Sequence, residues 1–329
     1  MIDAALVGLG WWGRIVARAL ADSRLLRPVL AIDPSAEARA AVHAIDTSAR
    51  FEDALERDDI AAVILCTPHA LHASQIIAAA VAGKHVFCEK PLCTSARQMR
   101  AVAAAVTAAG VQLGIGHERR FEPGIIELRA RAAAGEFGTP LLFEGNFSQD
   151  KFLALPADNW RLSATAAPVG PLSATGIHLV DLAIAFLGRP AEVWARLSSR
   201  GSAFANGDTL AVMIAFASGA AALITAILAT PFIGRLALFG ARGWAELRDR
   251  THPEQPSGWD LTTAAPGAAP TTRFLPPHPA VRDNLESFAR AVAGEATYPV
   301  ALEEMAANVH TYEAIARSVR SGRIARVVA

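Results

Sequence analysis

The sequence predicts an α/β chain in which an N-terminal, doubly wound parallel sheet precedes an α+β domain with a large, mostly antiparallel open sheet. Short apolar strand patterns alternate with helix patterns over residues 1–120, as in right-handed βαβ units. Beyond residue 121, β patterns follow one another without intervening helices, which is typical of an antiparallel sheet. Since 329 residues exceed what a single core usually supports, we expect two domains, 1–120 and 121–329.

The elements of the first domain follow from hydrophobic periodicity. The predicted strands are 4–7, 27–32, 61–66, 85–88 and 111–116. The predicted helices are 14–21, 36–43, 51–56, 72–82 and 96–109. Short, uniformly apolar strands suit a parallel sheet that is buried on both faces.

The second domain is predicted to mix helices with a run of β segments. The predicted helices are 121–134, 170–187, 281–293 and 301–322, and the β segments are 141–147, 192–200, 209–230, 235–239 and 243–247. Residues 251–279 contain seven of the nineteen prolines, which favours a long surface excursion.

Composition narrows the class of protein. With 52% hydrophobic and 19% charged residues the chain is globular, and a net charge of zero without a basic cluster argues against nucleic-acid binding. The three cysteines show no CxxC spacing, and no secretory leader is visible, so we expect a cytoplasmic protein. Residues 209–234 carry no charge and are long enough to span a bilayer, but Ser218 and Gly219 divide them, which favours a buried hairpin over a membrane helix.

A glycine turn follows the first strand. Gly8, Gly10 and Gly13 form the pattern GxGxxG between a predicted strand and a predicted helix, and Asp33 ends the second strand. In this context the glycines allow a tight turn, close approach of the backbone to a pyrophosphate, and close helix packing. Asp33 would accept hydrogen bonds from the adenosine ribose and repel a 2′-phosphate. Because no arginine follows it directly, we expect NAD rather than NADP.

Other side chains should lie beside this turn, because ligands of an open parallel sheet bind beyond the carboxyl ends of its strands. Trp11 and Trp12 lie within the turn, Thr67 and Pro68 end the next inner strand, and His72 begins a helix. All five are candidate cofactor-binding residues. Packing is the alternative role for the tryptophans, and a capping or solvated position is the alternative for His72.

The most informative segment is KHVFCEKPL, residues 84–92. In it an apolar strand runs into Glu89, Lys90 and a proline that ends the strand. Because this strand end should face the same crevice as the glycine turn, Lys90 can reach a molecule that reacts with the dinucleotide. The two features together predict a nicotinamide-dependent oxidoreductase.

These motifs resemble the glucose–fructose oxidoreductase/inositol dehydrogenase/rhizopine-catabolism (Gfo/Idh/MocA) family along nearly the whole chain. The matching segments are GLGWWG at 8–13, CTPHALH at 66–72, AGKHVFCEKPL at 82–92, GHERRFEP at 116–123, NWRLS at 159–163 and GPLSATGIHLVDL at 170–182. The resemblance implies an N-terminal Rossmann domain and a C-terminal domain for substrate binding and oligomerisation. It also implies NAD(P)-dependent hydride transfer at a secondary alcohol of a sugar, inositol, sugar acid or related cyclic diol, in a homo-dimer or homo-tetramer.

The resemblance further implies residue roles. Lys90 corresponds to the lysine that contacts the nicotinamide ribose and the substrate hydroxyl, Glu89 to an acid that binds the cofactor, and His178 to the catalytic histidine. Three further residues correspond to positions at the substrate crevice: Trp160, Arg161 and Asp181.

The chemistry fits these residue types. A neutral histidine is a suitable base for an alcohol proton, and a lysine stabilises the developing alkoxide. We therefore expect His178 as acid/base and Lys90 as its electrostatic partner; a buried structural histidine is the alternative. For Arg119 a surface ion pair is favoured, with anchoring of a carboxylated substrate, by Arg119 or Arg161, as the alternative. No HExxH or CxxC pattern supports a metal site.

One position departs from the family pattern. Many dehydrogenases of the family carry an aspartate four residues before the histidine, one helical turn away; here the residue is Ala174. Two other functions therefore stay open. The first is an NAD(H)-binding sensor or regulatory protein without turnover. The second is a redox-assisted epimerase, lyase or glycosidase that recycles its cofactor.

Overall fold

The computed structural model of the chain describes residues 1–42 and 45–328. Its internal contacts form two compact units. The first contains Met1–Glu118 and Pro279–Met305, and the second contains Arg119–His278 together with residues 306–328. The sequence-based division at residue 120 had assigned residues 279–305 to the second domain, whereas their contacts lie within the first unit.

Strands make up much of both units. Those of the first unit are β1 (Ile2–Val7), β2 (Leu26–Ile32), β3 (Asp46–Ser48), β4 (Ala62–Leu65), β5 (His85–Cys88) and β6 (Leu113–Ile115). Those of the second unit are β7 (Pro140–Ser148), β8 (Pro190–Ser198), β9 (Thr209–Phe216), β10 (Ala221–Ile227), β11 (Ile233–Gly240), β12 (Gly243–Asp249), β13 (Trp259–Ala264), β14 (Thr271–Leu275) and β15 (Ala325–Arg326).

Helices connect and cover these strands. They are α1 (Trp11–Ala21), α2 (Ala36–Ala40), α3 (Glu52–Glu56), α4 (His69–Val81), α5 (Ala96–Ala109), α6 (Pro123–Ala133), α7 (Ile177–Leu187), α8 (Ala280–Val292) and α9 (Leu302–Ser321). Helix α4 begins three residues before the predicted start, and α2 ends at Ala40, while its predicted end at residue 43 lies outside the described residues.

The first unit is built on a parallel sheet with the strand order β3-β2-β1-β4-β5-β6. The order reverses between β1 and β4, which makes this the point where an open α/β sheet binds ligands. Every residue of β4 is buried, as expected for a strand covered on both faces. The predicted doubly wound sheet is confirmed.

Helix α8 completes the first unit although it lies far along the chain. The Phe288 ring packs edge-on against Phe87 of β5 at 5.7 Å between centroids. A side chain at Gly114 of β6 would lie only 2.8 Å from both rings, so the glycine allows this packing. Nearby, the Tyr298 hydroxyl donates to Ile115 O at 3.0 Å. These contacts explain why residues 279–305 group with the parallel sheet.

The second unit contains a nine-stranded sheet with the order β14-β13-β12-β11-β7-β10-β9-β8-β15. Strands β7 and β10 pair in parallel and the remaining neighbours pair antiparallel, so the predicted mostly antiparallel sheet is confirmed. Helices α6, α7 and α9 pack on one face through apolar residues such as Leu128, Leu179 and Ile315. Alternate side chains of β9 are buried and exposed, which leaves the other face of the sheet open.

The uncharged stretch 209–234 forms the predicted hairpin. Strands β9 and β10 pair antiparallel, and Gly219 in the turn has a φ of +88°, a conformation that favours glycine. None of the described helices combines the length and apolarity that a membrane crossing needs.

The interpretation of residues 251–279 as a surface excursion is wrong for Trp259–Ala264 and Thr271–Leu275, which form strands. Strands β13 and β14 extend the sheet beyond β12. Trp259, Leu261 and Leu275 are buried in the core of the second unit. The prolines that suggested a loop lie in the connections that flank these two strands, where they interrupt no ladder of hydrogen bonds.

Candidate functional site

The glycine turn after β1 is shaped by close contacts in the first unit. Gly8 has a φ of +91°, and a Cβ there would lie 2.7 Å from the carbonyl carbon of Cys66. A Cβ at Gly13 would lie 1.9 Å from Gly8 O, whereas one at Gly10 would meet nothing within 4 Å in the described chain. The first and third glycines thus pack tightly against neighbouring backbone. The second meets no described neighbour at its Cβ position, which leaves room for a pyrophosphate to approach the backbone.

Helix α1 starts directly after Gly10, which has no side chain to cap it, and its first turn contains two tryptophans, a glycine and an arginine. The positive end of the helix dipole therefore meets no negative charge from its own first turn. Such a helix start accepts a pyrophosphate through its amide groups. The turn and the helix together fit a dinucleotide.

Asp33 is tied to the same turn by its carboxylate. Its Oδ2 accepts from the amide of Leu9 at 2.8 Å, and its Oδ1 accepts from the amide of Ser35 at 2.9 Å. Each oxygen retains a lone pair for a ribose hydroxyl. The structure thus brings Asp33 and the glycine turn together, as predicted.

Thr67 and Pro68 link β4 to α4. The Thr67 hydroxyl donates to Gln75 Oε1 at 2.6 Å, and Pro68 precedes the first residue of α4. Both residues are half-buried and lie at the carboxyl end of a strand that neighbours β1, where the sequence places them.

His72 does not occupy the capping or solvated position considered for it. The side chain is fully buried, with Nδ1 2.7 Å from Pro91 O and Nε2 2.9 Å from Thr67 O. Burial lowers the pKa of His72, and the nearby charge of Lys90 acts in the same direction. Since protein carbonyls occupy both ring nitrogens, the assignment of His72 as a direct cofactor contact is corrected: it joins the loops that carry Thr67 and Lys90.

Glu89 lies at the end of β5 with its carboxyl group buried against Gly116. A Cβ on that glycine would lie 2.4 Å from Glu89 Oε2. Burial, followed by the neighbouring charge of Glu118, raises the pKa of Glu89 to about 8, while Trp12 and Lys90 act in the opposite direction. The raised pKa favours the protonated form of Glu89, which can donate a hydrogen bond.

Lys90 follows Glu89 at this strand end and is half-buried. Its backbone amide donates to Glu89 Oε2 at 3.3 Å, and the peptide bond to Pro91 is cis. With Pro91 O held by His72, the chain is fixed on both sides of the lysine. A fixed backbone with a half-buried side chain suits a residue that acts on a bound molecule.

In the second unit, His178 lies in the first turn of α7, directly after a π-helical turn at Leu172–Gly176. Its ring is almost fully buried and lies 6.0 Å from the Phe147 ring between centroids. The Thr175 hydroxyl donates to Phe147 O at 2.7 Å, which fixes the π-helical turn to β7. Ala174 lies within that turn. Single π-helical turns inserted in helices are frequent at functional sites.

Asp181 lies one turn further along α7 and accepts two hydrogen bonds from Arg120, from Nε and Nη2, each at 2.7 Å. Arg119 binds Glu122 and Asp249, the latter at 2.8 Å. Both arginines are buried, so the expected surface ion pairs are wrong. The Arg119 guanidinium is bound to acids of its own unit, and its role as a substrate anchor stays a prediction.

Trp160 and Arg161 form a stacked pair, with the guanidinium carbon 4.4 Å from the indole centroid. Asn206 supports this segment by donating to Arg161 O at 2.7 Å and to Ala167 O at 2.8 Å. Burial lowers the pKa of Arg161. Across residues 1–42 and 45–328 its guanidinium forms no ion pair, so the cation is available to a ligand.

Sequence reasoning missed three supporting residues. Asn206 carries the loop of Arg161, the Tyr312 hydroxyl binds Ser173 at 2.7 Å, and Arg39 donates to the carbonyl of Asp33 at 2.6 Å. No motif marks Asn206 or Tyr312, because each acts from a distant element. Arg39 lies only six residues after Asp33, and its position on a short helix was the available signal.

Comparison with known proteins identifies the class. A model of an oxidoreductase family with an NAD-binding Rossmann fold matches residues 2–117, and the GFO/IDH/MocA C-terminal domain matches residues 125–246. D-xylose 1-dehydrogenase (NADP(+)) 2 of Haloferax volcanii is 32% identical over 83% of this chain and 82% of its own. The scyllo-inositol 2-dehydrogenase (NAD(+)) of Bacillus subtilis is 34% identical over 55% of this chain and 52% of its own.

A solved structure agrees. Aldose-aldose oxidoreductase from Caulobacter crescentus, complexed with glycerol, superimposes with a TM-score of 0.87 at 25% identity, covering 99% of each chain. The fold and the family matches define an NAD(P)-dependent oxidoreductase of the dehydrogenase type. The chain belongs to the Gfo/Idh/MocA family, which confirms the resemblance found in the sequence.

Proposed function

We propose that this protein transfers hydride between NAD and a secondary alcohol or ketone of a sugar, inositol, sugar acid or related cyclic diol. The observation that carries the proposal is the fixed position of Lys90, whose backbone is held by Glu89 on one side and through Pro91 by His72 on the other. Xylose and inositol dehydrogenases among the relatives support the substrate class.

The residues of the first unit fit the cofactor. The glycine turn would hold the pyrophosphate, Asp33 the adenosine ribose, and Thr67, Pro68 and Glu89 the nicotinamide half, with the tryptophans of the turn beside it. The bound nicotinamide would accept or donate the hydride. Asp33 favours NAD, because its carboxylate repels a 2′-phosphate.

Two side chains would handle the proton and the charge. The buried His178 accepts the hydroxyl proton of the substrate, and the Lys90 ammonium stabilises negative charge that develops on the substrate oxygen. The raised pKa of Glu89 weakens its compensation of the Lys90 charge near neutral pH. In place of the aspartate common in the family, packing against Phe147 orients the imidazole.

Trp160 and Arg161 favour the acidic members of this substrate class. A guanidinium stacked on an indole and bound to no carboxylate among residues 1–42 and 45–328 is suited to a carboxylate of the ligand. Asp181 would not contact the substrate directly, because Arg120 binds both of its carboxylate oxygens. A sugar acid is therefore the first substrate to test.

We also propose a homo-oligomer formed through the open face of the nine-stranded sheet. Trp194, Met213 and Leu223 lie in register on β8, β9 and β10 and are about 40% exposed. A continuous apolar patch on a sheet is typical of a subunit interface. A cytoplasmic location fits the free cysteines.

The test is formation of NADH by the purified protein on a panel of inositols, aldoses, sugar acids and cyclic diols. Lys90→Ala should lower kcat by about 10²–10⁴-fold, and His178→Asn should act similarly, while His178→Asn keeps its affinity for NADH. Full activity of Lys90→Ala would contradict the proposal.

Ala174 favours two other functions that the same panel separates. NADH binding without turnover on any substrate would indicate a sensor or regulatory protein. Product formation without net NADH, by protein that purifies with bound nucleotide, would indicate an epimerase, lyase or glycosidase with a recycled cofactor. Restoring the carboxylate with Ala174→Asp should raise turnover only if the protein is a dehydrogenase.

A further inference from the structure

The Phe147 ring lies at the centre of a cluster of side chains in the second unit. Its centroid is 6.0 Å from that of His178, 5.8 Å from that of His252 and 6.2 Å from that of Phe232. The rings of Phe232 and His252 also meet edge-on, at 5.3 Å. The Arg119 guanidinium carbon lies 5.2 Å from the Phe147 centroid. The imidazole of His178 therefore packs on a phenyl ring that three other side chains hold in place.

His252 is anchored at both of its ring nitrogens. Its Nε2 lies 2.7 Å from Oε1 of the buried Gln149, and its Nδ1 lies 3.1 Å from Nζ of Lys151. Because an ammonium group can only donate, Nδ1 accepts and Nε2 donates to the amide oxygen. Glu254 in turn binds the Lys151 ammonium at 2.8 Å. The His252 ring is thus tied to two residues that directly follow β7, the strand that carries Phe147.

Gly234 of β11 makes room for this cluster. It pairs with Phe147 across the sheet, and a Cβ on it would lie 2.1 Å from Asp249 Oδ2 and 2.9 Å from the tip of the Phe232 ring. Asp249 is the acid that binds Arg119 at 2.8 Å. The absence of a side chain at this position therefore lets the Phe232 ring and the carboxylate that holds Arg119 both approach Phe147.

The cluster offers His178 a support that its own helix does not. The residue one helical turn earlier is Ala174, whose methyl group cannot hold an imidazole by a hydrogen bond. A base must lie within hydrogen-bond reach of the proton that it removes, and small displacements of a reacting group lower the rate strongly. Packing against a fixed ring limits such displacements, because aromatic pairs favour defined separations and angles.

We propose that His252 is a positioning residue, which holds Phe147 against the imidazole of His178 and so fixes the position of that ring in place of the carboxylate that Ala174 lacks. The inference rests on the proposed function of His178 in proton transfer. His252 acts through Phe147 and not on the substrate, so its loss should change kcat and leave KM nearly unchanged.

Steady-state kinetics of His252 variants test this role. His252→Ala removes the ring and should lower kcat about tenfold while KM changes by less than about twofold. His252→Phe keeps a ring in the cluster and should retain kcat within about threefold of the wild type. His85→Ala is the control, since it removes an imidazole of the first unit that accepts from Gln112 N at 2.9 Å; it should leave both constants unchanged.

A double variant shows whether His252 acts through Phe147. Phe147→Leu should lower kcat at least as far as His252→Ala, and Phe147→Leu/His252→Ala should lower it no further than Phe147→Leu alone. Losses that multiply in the double variant would overturn the proposal. A raised KM at unchanged kcat in His252→Ala would also overturn it, because that result indicates direct contact with the substrate. His252→Phe as slow as His252→Ala would show that the ring packing is not what matters.

Chemical modification gives a measurement that needs no substrate. The His178 side chain is only 4% exposed, so release of Phe147 in His252→Ala should raise its rate of carbethoxylation by diethyl pyrocarbonate severalfold, as followed by peptide mass spectrometry. His252→Phe should stay near the wild-type rate. Equal rates in His252→Ala and wild type would overturn the inference. Absence of turnover by the wild type would instead refute the proposed function, and the modification rates would still decide whether His252 holds the imidazole.

Discussion

The imidazole of His72 bridges two loops of the parallel sheet, with Nδ1 2.7 Å from Pro91 O and Nε2 2.9 Å from Thr67 O. A neutral imidazole has one donor nitrogen, so protonation would supply the second donor, but burial opposes the charge and lowers the pKa of the ring. One buried side chain thus sets the separation of the loops that carry Thr67 and Lys90.

His72→Phe should destabilise the protein by about 1–3 kcal/mol, because it removes the imidazole N–H that the neutral ring donates to one of the two carbonyls. The pKa of His72 is lowered in the folded state, so the unfolded chain binds the proton first as pH falls below its value of 6.5. The stability of the wild type should therefore decrease as the pH decreases through that region, and the stability of the variant should decrease less. Urea unfolding across pH measures both effects.

Ser74→Ala, on the exposed side of the same helix, is the control and should change stability by less than about 0.5 kcal/mol. If His72→Phe is as stable as this control, the bridging role is wrong. If His72→Phe is as stable as the wild type but has a lower kcat, His72 acts by positioning Lys90.

Glu118→Gln should reduce the pH dependence of stability at the end of β5. The folded state raises the pKa of Glu89 from 4.5 to about 8, so it binds a proton that the unfolded chain has lost. Stability therefore falls as pH rises from about 4.5 to 8. Removing the Glu118 charge lowers the pKa of Glu89 and should make this decline shallower in chemical denaturation.

Glu303→Gln, an exposed acid at the start of α9, removes an equal charge and should leave the decline unchanged. An identical slope in Glu118→Gln and wild type would show that the two carboxyl groups do not interact. Infrared detection of a protonated carboxyl at neutral pH, lost in Glu89→Gln, gives an independent measurement.

Removing one partner of the Arg120–Asp181 ion pair should strongly reduce the stability of the folded protein. Both side chains are at most 2% exposed, so Arg120→Met leaves a buried carboxylate and should cost about 3–5 kcal/mol. The double variant Arg120→Met/Asp181→Leu should recover most of this loss, because it removes both charges. The exposed pair of Arg27 and Asp3 provides the comparison, and Arg27→Ala should cost less than about 1 kcal/mol. Similar losses of stability in Arg120→Met and Arg27→Ala would contradict the expected difference between a buried and an exposed ion pair.

Met213→Glu should disrupt the proposed oligomer, because it places a charge at the centre of the open apolar face. Analytical ultracentrifugation should show a dimer or tetramer for the wild type and a monomer for the variant. Ile126→Glu, at an exposed apolar position of α6, should leave the assembly unchanged. A monomeric wild type at all concentrations would contradict the interface.

The sequence predicted the parallel sheet and the glycine turn well because each is specified locally. The strand ends at Asp33 and Lys90 are marked by polar residues that interrupt apolar runs. It predicted β13 and β14 poorly, since prolines in their connections outweighed the strand pattern of Trp259 to Leu261. Short strands such as β15 have too few residues for periodicity to detect them.

The environments of the charged residues were the least predictable part. Arg119 and Asp249 are 130 positions apart, so no local pattern indicates that they form a buried pair. The same holds for Asn206, which supports Arg161 from a separate loop. Motifs identify residues that contact ligands, whereas the residues that hold them in place depend on the tertiary fold.

The packing of Phe288 between β5 and β6 limits how this protein can be divided. A fragment ending near residue 120 would leave the Phe87 ring and the surface of Gly114 facing water, and should aggregate when produced alone. Engineering of chimaeric dehydrogenases by exchange of the nucleotide-binding half must therefore transplant two stretches of gene, one from each end. The chain returns to cover its first sheet with α8 only after β14 of the second sheet has formed.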